Sequence, residues 1–225
     1  MEDGAVVEPV LRVLLELDDQ KAPITVANFE KYAKDGFYNG TVFHRVMKDF
    51  MIQGGGFDHH GNYPAGLHNK ASHGKMHPPI KNEWTNGLPN VRGSISMARL
   101  GGQPDSATSQ FFINLKNNDF LDQPRDGAGY AVFGKVVAGM DVVDRIGAMK
   151  TRSLGQMQNV PNVEVRIEAV RILSEEEADK KIGAMRRASA EQRVTAAEAA
   201  LKAAQAELAA AQKALQDLGT AGEGS

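Results

Sequence analysis

The sequence predicts a mainly β domain, of the barrel or sandwich type, followed by one long α-helix. Up to residue 173, short apolar runs alternate with glycine, proline, asparagine and aspartate, a pattern typical of many short strands. After residue 173 there is no proline, and 15 of the 45 residues from 174 to 218 are alanine, the strongest helix former. The chain therefore divides into a domain at 1–173, a helix at 174–218 and a flexible tail at 219–225.

The elements of the first domain follow from local patterns. Residues 10–17 predict the first strand, residues 25–36 an amphipathic helix that ends at Gly36, and residues 139–146 a second, shorter helix. The apolar face of the first helix consists of Val26, Phe29, Tyr32 and Ala33. Further strands are predicted at 41–47, 51–54, 94–99, 109–115, 129–136 and 163–173.

The long helix has a recognisable start and a regular apolar seam. Ser174 and Glu177 form a capping box, and from Val194 onward Val or Leu alternates with Ala at steps of three and four residues, up to Leu218. This heptad favours self-association with a second copy, the alternatives being packing on its own domain or a solvated tail. Because alanine buries little area, the affinity would be modest.

Composition excludes several classes of protein. The 26 basic and 28 acidic residues give a net charge of -2, so neither nucleic acid nor an anionic membrane is a favoured partner. No run approaches the roughly 18 apolar residues of a membrane helix, and the first ten residues lack the pattern of a signal peptide. We therefore expect a soluble, cytoplasmic protein. Cysteine is absent, which excludes disulfides and thiolate catalysis.

Arg45 is unusual because it interrupts a short apolar strand between Phe43 and Val46. If residues 48–50 form a three-residue hairpin loop, Arg45 lies opposite Gln53, a neutral hydrogen-bonding partner. A two-residue loop would pair the strands differently, and a surface arginine on an edge strand would also fit the pattern.

Four blocks of sequence together suggest a function. They read FHRVMKDFMIQGGGF at 43–57, RGSISMAR at 92–99, DSATSQFFINLKNNDFLD at 105–122 and GYAVFGKVVAGMDVVDRI at 129–146. In this order and spacing they resemble the cyclophilin family of peptidyl-prolyl isomerases, especially its bacterial members, over residues 10–173. The resemblance implies a closed eight-stranded antiparallel barrel capped by two helices. It also implies an enzyme that rotates X-Pro bonds without a cofactor or metal, acting on proline-containing peptides and unfolded client proteins.

The resemblance also assigns the site residues. It implies that the arginine of the first block reaches the prolyl peptide bond beside a shallow apolar groove. The catalytic set would be Arg45, Gln53 and Phe50. The substrate-binding set would be Met51, Ala98, Arg99, Gln110, Phe112, Phe120, Leu121 and Tyr130. Phe111 and Phe112 point to opposite sides of one strand, so only one of them can face the groove, and the resemblance selects Phe112.

Three of these positions depart from the pattern of many family members. Phe120 stands where many eukaryotic members have tryptophan, Tyr130 where histidine is frequent, and Arg99 where asparagine is found. We therefore expect weak cyclosporin binding. A proline-peptide binding module or holdase with little turnover is the alternative function, and an assembly protein built around the helix is a third.

Five of the six histidines crowd one loop between residues 59 and 77. Clustered imidazoles can bind zinc, copper or nickel. The spacing fits no defined site and no carboxylate follows Asp58 in the loop, so we predict no specific metal site. His44, in the first block, is expected to support the site structurally and not to act as a base.

Overall fold

The computed structural model describes residues 11–72, 74–124 and 126–221, and these fall into two compact units that divide between Ala178 and Asp179. These residues contain three α-helices, namely α1 (Pro23–Lys34), α2 (Met140–Gly147) and α3 (Glu175–Ala221). The strands are β1 (Leu14–Leu17), β2 (Thr41–Val42), β3 (Arg45–Met47), β4 (Met51–Gly54), β5 (Phe57–His59), β6 (Leu67–Asn69), β7 (Ser94–Met97), β8 (Phe111–Asn114), β9 (Val132–Ala138), β10 (Thr151–Leu154), β11 (Met157–Pro161) and β12 (Arg166–Ile167). Two 3-10 turns lie at Lys70–Ser72 and Asp119–Asp122. The predicted mainly β domain and long C-terminal helix are confirmed.

The strands form three antiparallel sheets. A six-stranded sheet has the order β1-β9-β7-β8-β4-β3, a four-stranded sheet has the order β12-β2-β5-β6, and β10 pairs with β11 as a hairpin. The segments 41–47 and 51–59 each contribute to both larger sheets, so the chain passes continuously from one sheet to the other. Gly55, between β4 and β5, has a φ of +77°, and a Cβ there would lie 2.9 Å from the Phe111 ring. The pairings do not form one closed ladder, so the eight-stranded barrel stays a prediction.

The core lies where the six-stranded sheet meets α1 and α2. The predicted apolar face of α1 is buried, and the Phe29 ring contacts Phe111 and Phe133 at centroid distances of 5.6 and 5.3 Å. Pro23 begins α1, and Gly36 follows its end with a φ of +69°, a conformation that glycine adopts without cost. The core thus anchors β8, which carries part of the groove described below.

Several predicted bounds are wrong. The first strand, predicted at 10–17, begins at Leu14 among the described residues, which start at 11, and the strand expected at 163–173 is only Arg166–Ile167. Segment 41–47 is interrupted at its middle, where the Phe43 N–H donates to the Val165 carbonyl outside the named strands. Four strands, β5, β6, β10 and β11, were not predicted because their polar residues and short lengths resemble loop sequence, and tertiary pairing decides them.

The helix α3 begins with a capping box and exposes its apolar seam. The Ser174 N–H donates to the Glu177 carboxylate at 3.0 Å, and the Glu177 N–H donates to Ser174 Oγ at 3.3 Å, so the capping box is present. The seam residues Val194, Leu201 and Leu208 are 57–60% exposed. The helix includes 219–221 of the predicted tail, while 222–225 and the side chains of the last seam leucines lie outside the described parts. No described helix has an apolar stretch long enough to cross a bilayer.

Candidate active site

A groove of about 390 Å³ brings most of the predicted site residues together. Of the eleven residues in the two sets, ten line it and Gln110 does not. The lining consists of Arg45, Phe50, Met51, Gln53, Ala98, Arg99, Phe112, Phe120, Leu121, Gln123, Asp126, Ala128 and Tyr130. These residues come from β3, β4 and β8 and from loops, including the segment after β7, so the six-stranded sheet supplies one wall and the loops the other.

The β3–β4 hairpin fixes the register of the wall. Residues 48–50 form a three-residue loop in which Asp49 has a φ of 57°, and the Phe50 N–H donates to the Met47 carbonyl. Arg45 therefore lies opposite Gln53, and Met47 opposite Met51. The sequence left a three-residue and a two-residue loop open, and the structure has the three-residue loop.

Arg45 is held by neutral partners. Its Nη1 donates to Gln53 Oε1 at 3.2 Å, its Nη2 lies 3.0 Å from Met47 Sδ, and Gln53 Nε2 donates to Gln110 Oε1 at 2.9 Å. Gln110 thus orients Gln53, which orients Arg45. Burial lowers the pKa of the half-buried Arg45 guanidinium, but arginine stays protonated in proteins. No carboxylate satisfies this charge in its described hydrogen bonds, so donor capacity remains for a ligand.

The floor of the groove is apolar. Met51, Phe112 and Leu121 are buried, and Phe112 meets Tyr130 edge to face at 5.7 Å. Phe50 and Phe120 stack at 5.5 Å at the rim. Phe111 instead packs in the main core, as the alternation along β8 requires. The floor therefore offers an apolar surface to a ligand.

A buried polar network supports this floor. Asn118 Nδ2 donates to the Phe50 carbonyl at 3.0 Å and to Asn114 Oδ1 at 2.7 Å. Asn90 Nδ2 donates to Asp122 Oδ1 at 2.7 Å. These bonds tie the rim loop to the 3-10 turn at 119–122, which carries two groove residues. The amide donors of this network are paired, while Asn118 Oδ1 has no partner within the described residues.

The opposite wall contains a charge pair that sequence reasoning missed. Arg99 Nη1 donates to Asp126 Oδ2 at 3.1 Å, and the Arg99 guanidinium lies 4.5 Å from the Tyr130 ring centroid. The Arg99 hydrogen bond, aided by the Gly102 N–H, lowers the pKa of Asp126 to about 2. Arg99 is thus neutralised within the wall. The partners are separated by 27 residues, so no local pattern signalled the pair.

Gln123 and Ala128 also line the groove and were not predicted. Both lie in a loop whose position depends on the 3-10 turn before it. Sequence offers no signal for them beyond their closeness to Leu121 and Tyr130.

The histidines that the structure describes lie outside the groove lining. His44 is buried, its ring is 4.5 Å from Phe57, and burial lowers its pKa to about 4, with the adjacent Arg45 charge acting in the same direction. His77 Nε2 lies 2.8 Å from Asp35 Oδ2. Within the described residues no three side chains form a group that could hold a metal ion, while His73 lies outside them. The absence of a metal site stays a prediction.

Comparisons with known proteins agree with this geometry. Residues 10–172 match the family described as cyclophilin type peptidyl-prolyl cis-trans isomerase/CLD. A peptidyl-prolyl cis-trans isomerase of Acinetobacter baylyi is 54% identical over 160 residues, which cover 71% of this chain and 79% of the relative. Peptidyl-prolyl cis-trans isomerase B of Escherichia coli is 48% identical over 163 residues, covering 71% and 93%.

A solved structure shares the fold. The crystal structure of a Cryptosporidium parvum cyclophilin type peptidyl-prolyl cis-trans isomerase, determined in the presence of the dipeptide Ala-Pro, matches with a TM-score of 0.57 and 25% identity. The match covers 72% of this chain and 93% of that one. By these matches the protein is an isomerase, and the chain belongs to the cyclophilin-type peptidyl-prolyl cis-trans isomerase family.

Proposed function

We propose that the protein accelerates rotation about X-Pro bonds in peptides and unfolded client chains, with the proline ring in the groove and Arg45 donating a hydrogen bond to the prolyl nitrogen. One observation carries the proposal: a half-desolvated guanidinium, fixed by Gln53, borders an apolar floor built on Phe112. The other residues of the groove hold the ring and the chain beside it.

Amide resonance explains why a donor is needed. Twisting an X-Pro bond costs roughly 18–20 kcal/mol because resonance is lost, and unaided exchange takes tens to hundreds of seconds. In the twisted state the prolyl nitrogen regains a lone pair that accepts a hydrogen bond, whereas in the planar state it is a poor acceptor. A donor at this position therefore stabilises the transition state more than the ground state.

The arginine bond accounts for part of the rate. A hydrogen bond to a charged group contributes about 1.5–3 kcal/mol, which is roughly one to two decades of rate. Exclusion of water by the floor supplies a further contribution, since a dry site disfavours the polar planar amide. Gln110 and Gln53 keep the donor in place, so no reorganisation is needed when the bond rotates.

Exchange NMR on an Ala-Pro peptide tests the proposal without a coupled protease. Arg45→Ala should slow exchange roughly 10- to 100-fold, with a smaller loss of peptide affinity, and Arg45→Lys should fall between Arg45→Ala and the parent because lysine lacks the rigid fork. Arg145→Ala, on the exposed face of α2, is the matched control. Equal rates for the parent and Arg45→Ala would refute the role of Arg45. Peak shifts without exchange in the parent would instead indicate a binding module or holdase.

We further propose that α3 associates with a second copy of itself. Support comes from the heptad spacing and from the exposure of Val194, Leu201 and Leu208. A single helix leaves this seam in water, and a parallel or antiparallel partner helix would cover it. The closed barrel and the cytoplasmic location also stay proposals.

A further inference from the structure

A second cavity shares one residue with the groove. It has a volume of about 350 Å³ and is lined by Arg45, His44 and the consecutive residues 156–159. Apart from Arg45, none of these residues lines the groove. A ligand that contacts Arg45 at the prolyl bond therefore has a neighbouring space that the proline ring does not fill.

The fold builds the outer wall of this cavity with an irregular strand. The hairpin pairs Leu154 with Met157 and Arg152 with Val160, so β11 carries an extra residue opposite β10. Asn159 lies in this bulge with a φ of 59°, a left-handed conformation that costs a non-glycine residue free energy. Bulges at such edges re-aim side chains. This left-handed backbone conformation lies beside the cavity and sets the positions of Gln158 and Asn159.

The inner wall contains a polar atom without a partner. His44 is 4% exposed, and its Nδ1 makes no hydrogen bond of good geometry within the described residues, although the Val42 backbone and the Gln110 side chain lie near enough to act on the pKa of the ring. Its lowered pKa, about 4, makes the ring neutral near pH 7, so Nδ1 can donate or accept depending on the tautomer. Because this atom is buried, it supports the wall of the cavity and does not itself face a ligand.

The remaining lining sets the chemistry of the ligand. Gln156, Gln158 and Asn159 present side-chain amides, and Met157 presents a thioether. Among the residues that the structure describes, Arg45 is the only charged one in the lining and none is acidic. Amides pair best with groups that both donate and accept hydrogen bonds.

We propose that this cavity is a second subsite, which binds a carboxamide side chain of the substrate one or two residues away from the proline. An extended chain spans roughly 7 Å in two residues, which suits a space that begins at Arg45. The inference rests on the proposed isomerase function. A carboxylate in the same place would pair with Arg45 and draw it from the prolyl nitrogen, so a glutamate peptide should bind but be turned over more slowly than the glutamine peptide.

A peptide series tests the subsite. Proline peptides carrying Gln, Met or Glu at either of the two positions on each side of the proline are compared by exchange NMR, with an otherwise all-alanine peptide as reference. In the parent, we expect kcat/KM for the best Gln peptide to exceed that of the matched Met peptide about 5- to 10-fold, and Asn159→Gly to reduce the ratio to below twofold. Glycine suits the left-handed position, and the ratio cancels any general loss of activity. Ser153→Ala, on β10 but outside the cavity lining, should preserve the ratio.

A ratio near one in the parent, or an unchanged ratio in Asn159→Gly, would overturn the subsite while exchange of the all-alanine peptide persists. Failure of the proposed function would give a different result, since none of the peptides would then exchange. In that case amide shifts of residues 156–159 on titration with the Gln and Met peptides decide. Shifts specific to the Gln peptide support the subsite, and their absence overturns it.

Discussion

The two units of the protein differ in how far their apolar side chains are exposed. In the β unit, Ile95 and Phe133 are 0% exposed, whereas in the helix unit Leu201 and Leu208 are 60% exposed. Because burial of apolar surface is the main favourable term in folding, the β unit carries its own stabilisation. The helix depends on alanine propensity, its cap and any partner it finds. The β unit is thus stabilised by its buried core, and the helix by alanine propensity, its cap and any partner.

Shortening one apolar side chain in each unit tests this difference in stability, and it has the largest expected effect. Phe133→Ala should lower the free energy of unfolding of the β unit by about 3–5 kcal/mol, since it removes a fully buried ring from the core. Leu201→Ala should change it by less than ~0.5 kcal/mol because the side chain is exposed and alanine favours helix. Urea titration followed by fluorescence of Trp84, the single tryptophan, measures both. Similar losses for the two variants would contradict the separation.

Acid should also distinguish the units. The pKa of buried His44 is about 4, below its ordinary 6.5, so between these values the unfolded chain binds a proton that the folded chain does not. The stability of the β unit should therefore fall as pH decreases from 6.5 to 4, at ~1.4 kcal/mol per pH unit and by about 3 kcal/mol in all. The helix unit contains no histidine and lacks this dependence.

Urea titrations at several pH values check the acid prediction. His44→Gln should flatten the pH dependence over this window, while His68→Gln, at an exposed position, should leave it unchanged. A variant at His44 with the slope of the parent would show that other groups carry the acid sensitivity.

Self-association tests whether the exposed seam of the helix is covered by a second copy. In Leu201→Asp/Leu208→Asp the seam loses two large apolar residues, each with roughly 1–2 kcal/mol to gain from burial, so dimerisation should weaken tenfold or more. Ala199→Asp/Ala206→Asp adds the same charges on the outer face of the heptad and should preserve association. Sedimentation equilibrium measures both. A parent that is monomeric at high concentration, or equal weakening in the two variants, would refute association through the seam.

Sequence reasoning worked best where structure is local. The capping box at Ser174 follows from nearby residues, and the structure has it. The register of Arg45 against Gln53 was one of two alternatives that nearby residues left open, and the structure has that one. Sequence reasoning failed where distant segments meet. Arg99 pairs with Asp126 across a loop, and β11 is shaped by a bulge that no local pattern signals.

Family resemblance recovered residues that periodicity alone left undecided. It selected Phe112 and not Phe111 for the groove, and it grouped Met51 with Leu121, 70 positions apart in the sequence. The cavity beside His44 was missed because its residues read as a polar loop.

The smallest effect is expected from removing the helix. Every residue that lines the groove, and every residue of the polar network beneath it, precedes Ala131, and the second cavity ends at Asn159. Deletion of residues 174–225 should therefore change the exchange rate of an Ala-Pro peptide by less than about twofold, as expected for a unit that contains its own core. The sedimenting mass should fall by more than the deleted residues if the helix holds two copies together. A tenfold loss of exchange would mean that the helix contributes to the site, and the separation of the two units would then hold for stability but not for catalysis.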